Sequence, residues 1–159
     1  MKISIIAVGK IKEKFYREAF AEYDKRLSRY CKLEVIEVAD EKTPDKASEN
    51  VNQQILEKEG ERIEKYIPDD AFVIVTAIEG KKYTSEKFAD LIEKTGVNGY
   101  GHIVFIIGGS LGLTDRIKKR GNALISFSDM TFPHQLMRVI LAEQIYRAYR
   151  IMNKEPYHK

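Results

Sequence analysis

Residues 72–78, Phe-Val-Ile-Val-Thr-Ala-Ile, form an almost unbroken apolar run in the middle of the chain. Such a run, without polar alternation, is typical of a strand covered on both faces, as strands are in a parallel sheet. Similar runs occupy residues 3–8 and 102–107, and shorter ones occupy residues 33–38 and 123–127. We therefore predict five strands, spread over the whole chain.

The segments between these runs carry apolar residues at helical spacing. The predicted helices cover residues 13–30, 51–66, 85–95, 116–120 and 133–152. Thr84 or Ser85 can cap the third helix, which we expect to stop before Gly96, and Pro133 suits the first turn of the last. The alternation predicts an α/β fold: one domain over residues 1–159, a mostly parallel sheet flanked by helices.

The last predicted helix is apolar nearly all round, with only a narrow polar stripe. A helix of this kind must be buried on several sides. One small domain offers too few neighbours, so we predict that part of this helix packs against a second copy in a homodimer.

Composition excludes several classes of protein. With 43% hydrophobic and 32% charged residues, the chain is neither disordered nor membrane-embedded. The single cysteine, Cys31, excludes an internal disulfide and favours a reducing compartment, so we expect a cytoplasmic protein. Residues 1–30 and 111–159 are net basic and the middle is acidic, a distribution that suits a polyanionic partner if the two ends meet.

Three segments could carry chemistry. Residues 105–113 run from a strand into Gly108, Gly109 and Gly112, where backbone N–H groups could approach a nucleoside cofactor or simply form a tight turn. Residues 126–135 mix hydroxyls with two Phe and a Met, which suits an apolar slot for adenine or methionine, or a well-packed connection. The tail, residues 153–159, could grip single-stranded RNA or be solvated. The sequence contains no Cys/His cluster of the kind that would predict a metal site.

Taken together, the motifs resemble the family of 23S ribosomal RNA pseudouridine N3-methyltransferases in the SPOUT superfamily. The resemblance spans residues 1–159 and is carried, in order, by Met1-Lys2-Ile3, Ala7-Val8-Gly9-Lys10, Ile107-Gly108-Gly109, Thr131-Phe132-Pro133-His134, Glu143-Gln144-Ile145-Tyr146-Arg147-Ala148 and Pro156-Tyr157-His158-Lys159. It implies a C-terminal trefoil knot, a rare exception to unknotted topology. It also implies a dimer whose RNA site is built from both subunits.

The family's activity implies S-adenosylmethionine-dependent methylation of the N3 of a pseudouridine in helix 69 of 23S rRNA, within assembled ribosomes. The implied cofactor-binding residues are Thr76, Gly108, Phe127, Ser128, Asp129, Met130, Thr131 and Phe132. The family often has Leu where this chain has Thr76. That change matters little if the cofactor meets the backbone there, but it would alter affinity if the side chain makes the contact.

The reaction also needs a group that handles the N3 proton. We expect His134 or His158 to do so, because a neutral imidazole is available near pH 7. Arg138 or the tail lysine could stabilise the charge that develops on the base oxygens. For RNA binding we expect Arg147, Arg150, Tyr157 and Lys159, which combine charge with a stacking surface.

Three alternatives stay open at this point. A nucleotide-dependent oxidoreductase would use the glycine loop, although the dinucleotide fingerprint is missing. A non-catalytic ribosome-binding factor would keep the fold without activity. A SPOUT enzyme acting on another rRNA or tRNA site would differ only in its target nucleotide.

Overall fold

The computed structural model describes all residues from Met1 to Lys159. Its strands are β1 (Lys2–Val8), β2 (Lys32–Val38), β3 (Phe72–Lys82), β4 (His102–Ile107) and β5 (Ala123–Ser126). Its helices are α1 (Lys14–Leu27), α2 (Glu49–Glu64), α3 (Ser85–Val97), α4 (Asp115–Arg120) and α5 (His134–Met152). All five predicted strands and all five predicted helices are present, with ends that differ mostly by one to three residues.

The five strands form one sheet in the order β2-β1-β4-β3-β5, and every neighbouring pair is parallel. The predicted α/β class with a parallel sheet is therefore confirmed. All strands point the same way, so their carboxyl ends meet at one edge of the sheet, where open parallel sheets bind ligands. Strand order does not define how the chain threads, and the trefoil knot stays a prediction.

Apolar side chains cover both faces of the sheet, as the unbroken runs predict. On one face Ile5, Ile74 and Phe105 pack with residues of α1, α3 and α5. On the other, Val75 and Ile106 belong to a second cluster with residues of α2 and α4. Neighbouring residues of one strand thus enter different cores, which is why the central strands lack polar alternation.

The end of α3 differs from the prediction that the helix stops before Gly96. Helix α3 does not stop before Gly96 but continues to Val97, and Gly99, at a φ of +98°, follows the capping residue Asn98. Gly99 takes the left-handed conformation that ends many helices. At the start of α3 the Thr84 side chain accepts a hydrogen bond from the N–H of Lys87, as expected of a cap.

Strand β3 is longer than the apolar run, because it continues to Lys82 after an interruption. Thr76 and Lys81 both pair with Ile125 of β5, so residues 77–80 leave the ladder and the strand then rejoins it. The interruption was not predicted from the sequence, and it shapes the site described next.

Candidate active site

A cavity of about 750 Å³ lies at the carboxyl edge of the sheet, where β3, β4 and β5 end. Its walls come from three connections: residues 76–79, residues 107–113 and residues 125–134, with Lys118 and Met137 completing the lining. Cavities of a few hundred to a thousand Å³ hold drug-sized ligands or cofactors. The first two segments singled out in the sequence therefore meet at one place.

The glycine segment is both a tight turn and a wall of the cavity. The N–H of Gly112 donates to the carbonyl of Gly109 at 3.1 Å, which closes the turn, and Gly112 has a φ of +86°. A side-chain carbon at Gly108 would lie only 2.7 Å from the carbonyl oxygen of Gly112. No other residue fits at Gly108 unless the turn moves.

Thr76 lines the cavity, but its hydroxyl is engaged within the protein. The Oγ1 atom donates to the carbonyl of Ile106 at 2.9 Å, across the pair of strands β3 and β4. The Thr76 hydroxyl therefore has no proton left to donate to a ligand beside it. This favours a contact through the backbone, for which the exchange of Leu for Thr matters little.

The loop after β5 supplies five of the six predicted residues of that segment: Phe127, Ser128, Met130, Thr131 and Phe132. The loop is held by its own hydrogen bonds, since Ser126 Oγ donates to the carbonyl of Ser128 and the N–H of Met130 donates to Ser128 Oγ. Asp129 is the exception, because its carboxylate forms an ion pair with Lys82 and does not line the cavity.

The sequence reasoning missed one wall. Ala77, Ile78 and Glu79 line the cavity from the excursion of β3, and Lys118 of α4 forms an ion pair with Glu79. The hydrogen bond from Lys118 lowers the pKa of Glu79 below its ordinary value. A glycine inside a strand often marks a bulge, but Gly80 lies two residues beyond the predicted strand and so gave no signal there.

His134 stands at the first position of α5 and lines the cavity. Its Nδ1 atom is buried and has no hydrogen-bond partner. Burial, and then the positive charge of Arg138, lower the pKa of His134 despite the opposing carboxylates of Asp40 and Glu13. A lowered pKa favours the neutral imidazole at pH 7, the form that can accept a proton.

Arg138 does not face the cavity, which corrects the expectation that it contacts the substrate base. It is 1% exposed, and its terminal nitrogens donate to Glu37 Oε2 and to the carbonyl of Gly9, each at 2.6 Å. Reaching a base would mean breaking both bonds and moving the guanidinium out of its buried position. The side chain instead ties the first turn of α5 to the carboxyl ends of β1 and β2.

The C-terminal tail is docked on the protein rather than solvated. His158 lies between two charged groups, since Nδ1 is 3.1 Å from Arg147 Nη1 and Nε2 is 2.7 Å from Glu86 Oε1. Because arginine can only donate, Nδ1 accepts the hydrogen bond from Arg147. Nε2 then carries the proton and donates a hydrogen bond to Glu86. Tyr157 packs on the Arg147 guanidinium, 4.7 Å from the ring centroid, and Lys159 is exposed.

The two histidines do not meet within one chain. His158 contacts Arg147, thirteen residues along α5 from His134, a distance of about 20 Å at the helical rise. Arg147 is also bonded twice to Glu143, and Arg150 bonds to Glu155, so both predicted RNA-binding arginines are paired internally. Within one chain the structure brings His134 together with all the predicted cofactor residues except Asp129, whereas the predicted RNA-binding residues do not line the cavity.

Two further observations bound the chemistry. No group of three or more His, Cys, Asp or Glu side chains is arranged to hold a metal ion. No helix is long and apolar enough to cross a membrane.

Comparison with known proteins identifies the class. The family model described as "Predicted SPOUT methyltransferase" matches residues 1–158, and the chain therefore belongs to the SPOUT methyltransferase family. The resemblance seen in the sequence is thereby confirmed, and so is the expectation of a methyltransferase.

The most informative relatives all carry the name "Ribosomal RNA large subunit methyltransferase H". The protein of that name from Bifidobacterium adolescentis is 65% identical over 159 residues, covering 100% of both chains. Those of Streptococcus gordonii and Clostridium botulinum strain Hall are each 60% identical over the same full length. A solved structure, described as a probable methylase family protein from Haemophilus influenzae Rd KW20, superposes with a TM-score of 0.56. It is 14% identical, covering 99% of this chain and 70% of that one, so it supports the fold alone.

Proposed function

We propose that this SPOUT methyltransferase acts, as one domain spanning residues 1–159, on the ribosomal RNA of the large subunit. It would transfer a methyl group from S-adenosylmethionine to the N3 of a pseudouridine in helix 69 of 23S rRNA. The observation that carries the proposal is the cavity of about 750 Å³ at the carboxyl edge of the sheet, in a chain 57–65% identical over its full length to large-subunit rRNA methyltransferases.

The residues present fit the cofactor. Phe127, Phe132 and Met137 offer apolar surface for adenine and for the methionine chain, and the turn from Gly108 to Gly112 brings backbone close to the cavity. The fit does not depend on a charged side chain at each contact, since backbone donors and acceptors suit the polar ends of a nucleoside. When bound, S-adenosylmethionine supplies an electrophilic methyl group on a sulfonium centre.

The chain's own residues would then handle the substrate. As N3 of the base forms its bond to the methyl carbon, the N3 proton must leave, and the neutral imidazole of His134, which lines the cavity, can accept it. Alignment supplies much of the remaining acceleration, because methyl transfer is sensitive to orientation. Arg138 is a positioning residue here, since it fixes the turn that carries His134.

The proposal includes a homodimer with a composite RNA site. His158, Tyr157 and Arg147 are remote from the cavity of their own chain, so a second copy would have to present its tail there for both histidines to act together. Half-buried apolar residues of α5, such as Val139 and Ile140, offer surface for such a contact. With assembled ribosomes as its substrate, the enzyme would act in the cytoplasm.

The decisive experiment transfers labelled methyl from S-adenosylmethionine to ribosomes that lack the modification. Free 23S rRNA runs alongside, and mass spectrometry maps the nucleotide. Label on a helix 69 pseudouridine, in ribosomes only, is the expected result. Label on another rRNA or on tRNA would replace the target and keep the class. Binding of ribosomes and cofactor without any transfer would indicate a non-catalytic factor.

A further inference from the structure

The segment between β1 and the first turn of α1 joins positive charge to an exposed aromatic ring. Residues 10–17, Lys-Ile-Lys-Glu-Lys-Phe-Tyr-Arg, contain four basic residues and one acid. We refer to them as the basic ridge. Phe15 is 63% exposed, and its ring centroid lies 4.3 Å from that of Tyr16. An aromatic ring exposed among cations is poorly hydrated, but nucleic acid bases can stack on it.

The basic ridge lies at the same edge of the sheet as the cavity. Gly9 directly follows the carboxyl end of β1, and a side-chain carbon there would lie 3.4 Å from Cε1 of His134. His134 is a wall of the cavity. An RNA strand that delivers one nucleotide to the cavity therefore has this ridge as an immediate neighbour for its flanking nucleotides.

The positive charge of the ridge is available to a partner. Lys10 and Lys12 are exposed and form no ion pair, and Lys14 reaches Glu18 only at 3.6 Å, between side chains that are 80% and 66% exposed. Water screens such an exposed pair almost completely. By contrast, the guanidinium groups of Arg147 and Arg150 are held by carboxylates of their own chain.

The backbone of the ridge is fixed before any partner binds. Arg17 Nη1 donates to the carbonyl of Lys12 at 2.6 Å and to that of Ile11 at 3.3 Å. The loop is thereby tied to the first turns of α1. A surface ordered in advance binds with a smaller loss of conformational entropy.

We propose that the basic ridge binds the RNA strand next to the target nucleotide. In this arrangement Lys10 and Lys12 contact phosphates, and Phe15 stacks on an unpaired base. The inference rests on the proposed function, because it assumes an RNA substrate, and it adds a contact surface distinct from the C-terminal tail.

The test compares three variants: the double variant Lys10→Gln/Lys12→Gln, Phe15→Ala, and a control, Lys58→Gln/Lys94→Gln. Lys58 and Lys94 are also exposed and unpaired, but they lie within α2 and in the last turn of α3. Methyl transfer to ribosomes is measured between 50 and 200 mM salt, a range over which phosphate contacts are strongly weakened. Binding of each variant to a short helix 69 stem-loop is measured by fluorescence anisotropy.

We expect the double lysine variant to raise KM for ribosomes about tenfold and to lower the salt slope of log KM by about 0.7–0.9 for each lysine. Phe15→Ala should raise KM about fivefold or more with the slope unchanged, since stacking on one base contributes about 1–3 kcal/mol. Both should leave kcat and cofactor affinity as in the wild type. The control should leave KM and the slope unchanged.

Unchanged KM and slope in both ridge variants, with an active wild type, would overturn the inference. So would dissociation of the Phe15→Ala dimer with RNA affinity retained, which would make the ridge a contact between copies. If the wild type methylates no ribosomal RNA, the proposed function fails. Binding to the stem-loop then tests the ridge separately, because equal affinities of the wild type and the ridge variants would contradict RNA binding by the ridge.

Discussion

Gly108 and Gly112 approach so closely that a side-chain carbon on the first would lie 2.7 Å from the carbonyl oxygen of the second. We therefore expect Gly108→Ala to displace the turn and weaken S-adenosylmethionine binding at least about tenfold, because overpacking typically costs about 1–3 kcal/mol. Titration calorimetry measures the affinity. Gly101→Ala is the matched control, since nothing lies within 4 Å of a side-chain carbon there. Equal affinities for both variants would show that the turn does not border the cofactor.

Arg138 is expected to stabilise the fold through its bonds to Glu37 and Gly9. Arg138→Met removes both bonds, and we expect the free energy of unfolding in urea to fall by about 2–3 kcal/mol. Glu37→Gln should cost less, because the Glu37 side chain is 37% exposed and the amide oxygen can still accept. A loss as large in Glu37→Gln as in Arg138→Met would contradict this assignment.

The pH dependence of methyl transfer should report on His134. A base acts in its neutral form, and burial and Arg138 lower the pKa of His134 below 6.5. The rate should therefore stay level as the pH falls to about 6.5 and decline only below it. His134→Asn should reduce kcat about a hundredfold and remove this decline. An unchanged acidic limb in His134→Asn would exclude His134 as the proton acceptor.

The same lowered pKa affects stability. Below about pH 6.5 the unfolded chain takes up a proton at His134 before the folded protein does, so the folded state loses stability as the pH falls through that range. His102 adds to the effect, since burial and Lys2 lower its pKa too. The melting temperature should thus drop less between pH 7 and pH 5.5 in His134→Asn than in the wild type. An identical drop in both proteins would argue against the buried neutral imidazole.

Glu59 predicts the opposite dependence of stability on pH. Burial raises the pKa of this carboxyl above its ordinary value, although it accepts a hydrogen bond from the N–H of Glu41 at 2.9 Å. The ionised form is therefore unfavourable in the folded state, and its cost appears as the pH rises above about 4.5. Glu59→Gln keeps an acceptor and should raise the melting temperature at pH 7 by about 2 °C, with a smaller gain at pH 4. A gain equal at both pH values would point to packing instead.

A composite dimer site predicts complementation between two inactive variants. His134→Asn and His158→Ala, mixed under conditions that exchange subunits, form heterodimers in which one site has both defects and the other has neither. Equal mixing should restore about a quarter of the wild-type sites, because half of the dimers are mixed. No recovery after verified exchange would mean that both histidines serve a site within one chain, and activity of either variant before mixing would mean that its histidine is dispensable.

The sequence predicts the sheet well because burial on both faces leaves a local trace, as in residues 72–78 and 102–107. It predicts Arg138 poorly. The guanidinium is buried against Glu37, and the two residues are 101 positions apart, a pairing that no local pattern reveals. The end of α3 was also predicted wrongly, since a glycine at position 96 is tolerated in a helix that ends one residue later, at Val97, and it is Gly99 that takes the left-handed conformation.

The predicted cofactor-binding residues fall between the sheet, which the sequence predicts well, and Arg138, which it predicts poorly. Gly108 and the loop of residues 127–132 were identified from the family's motifs, and most of them line the cavity. The resemblance implied Asp129 as well, but its carboxylate forms an ion pair with Lys82 and does not line the cavity. The wall of residues 77–79 depends on how β3 pairs with β5, which local composition does not encode.

Because Thr76 and Lys81 pair with the same residue of β5, the four residues between them take no part in the pairing of β3 with β5. An insertion or deletion of a residue within 77–79 would enlarge or shrink one wall of the cavity and leave the register of the sheet intact. Gly80 sets the boundary of this freedom, because a side-chain carbon there would lie 2.6 Å from the backbone of Ile125. The molecule thus offers a point at which ligand shape can be engineered, or can evolve, independently of folding.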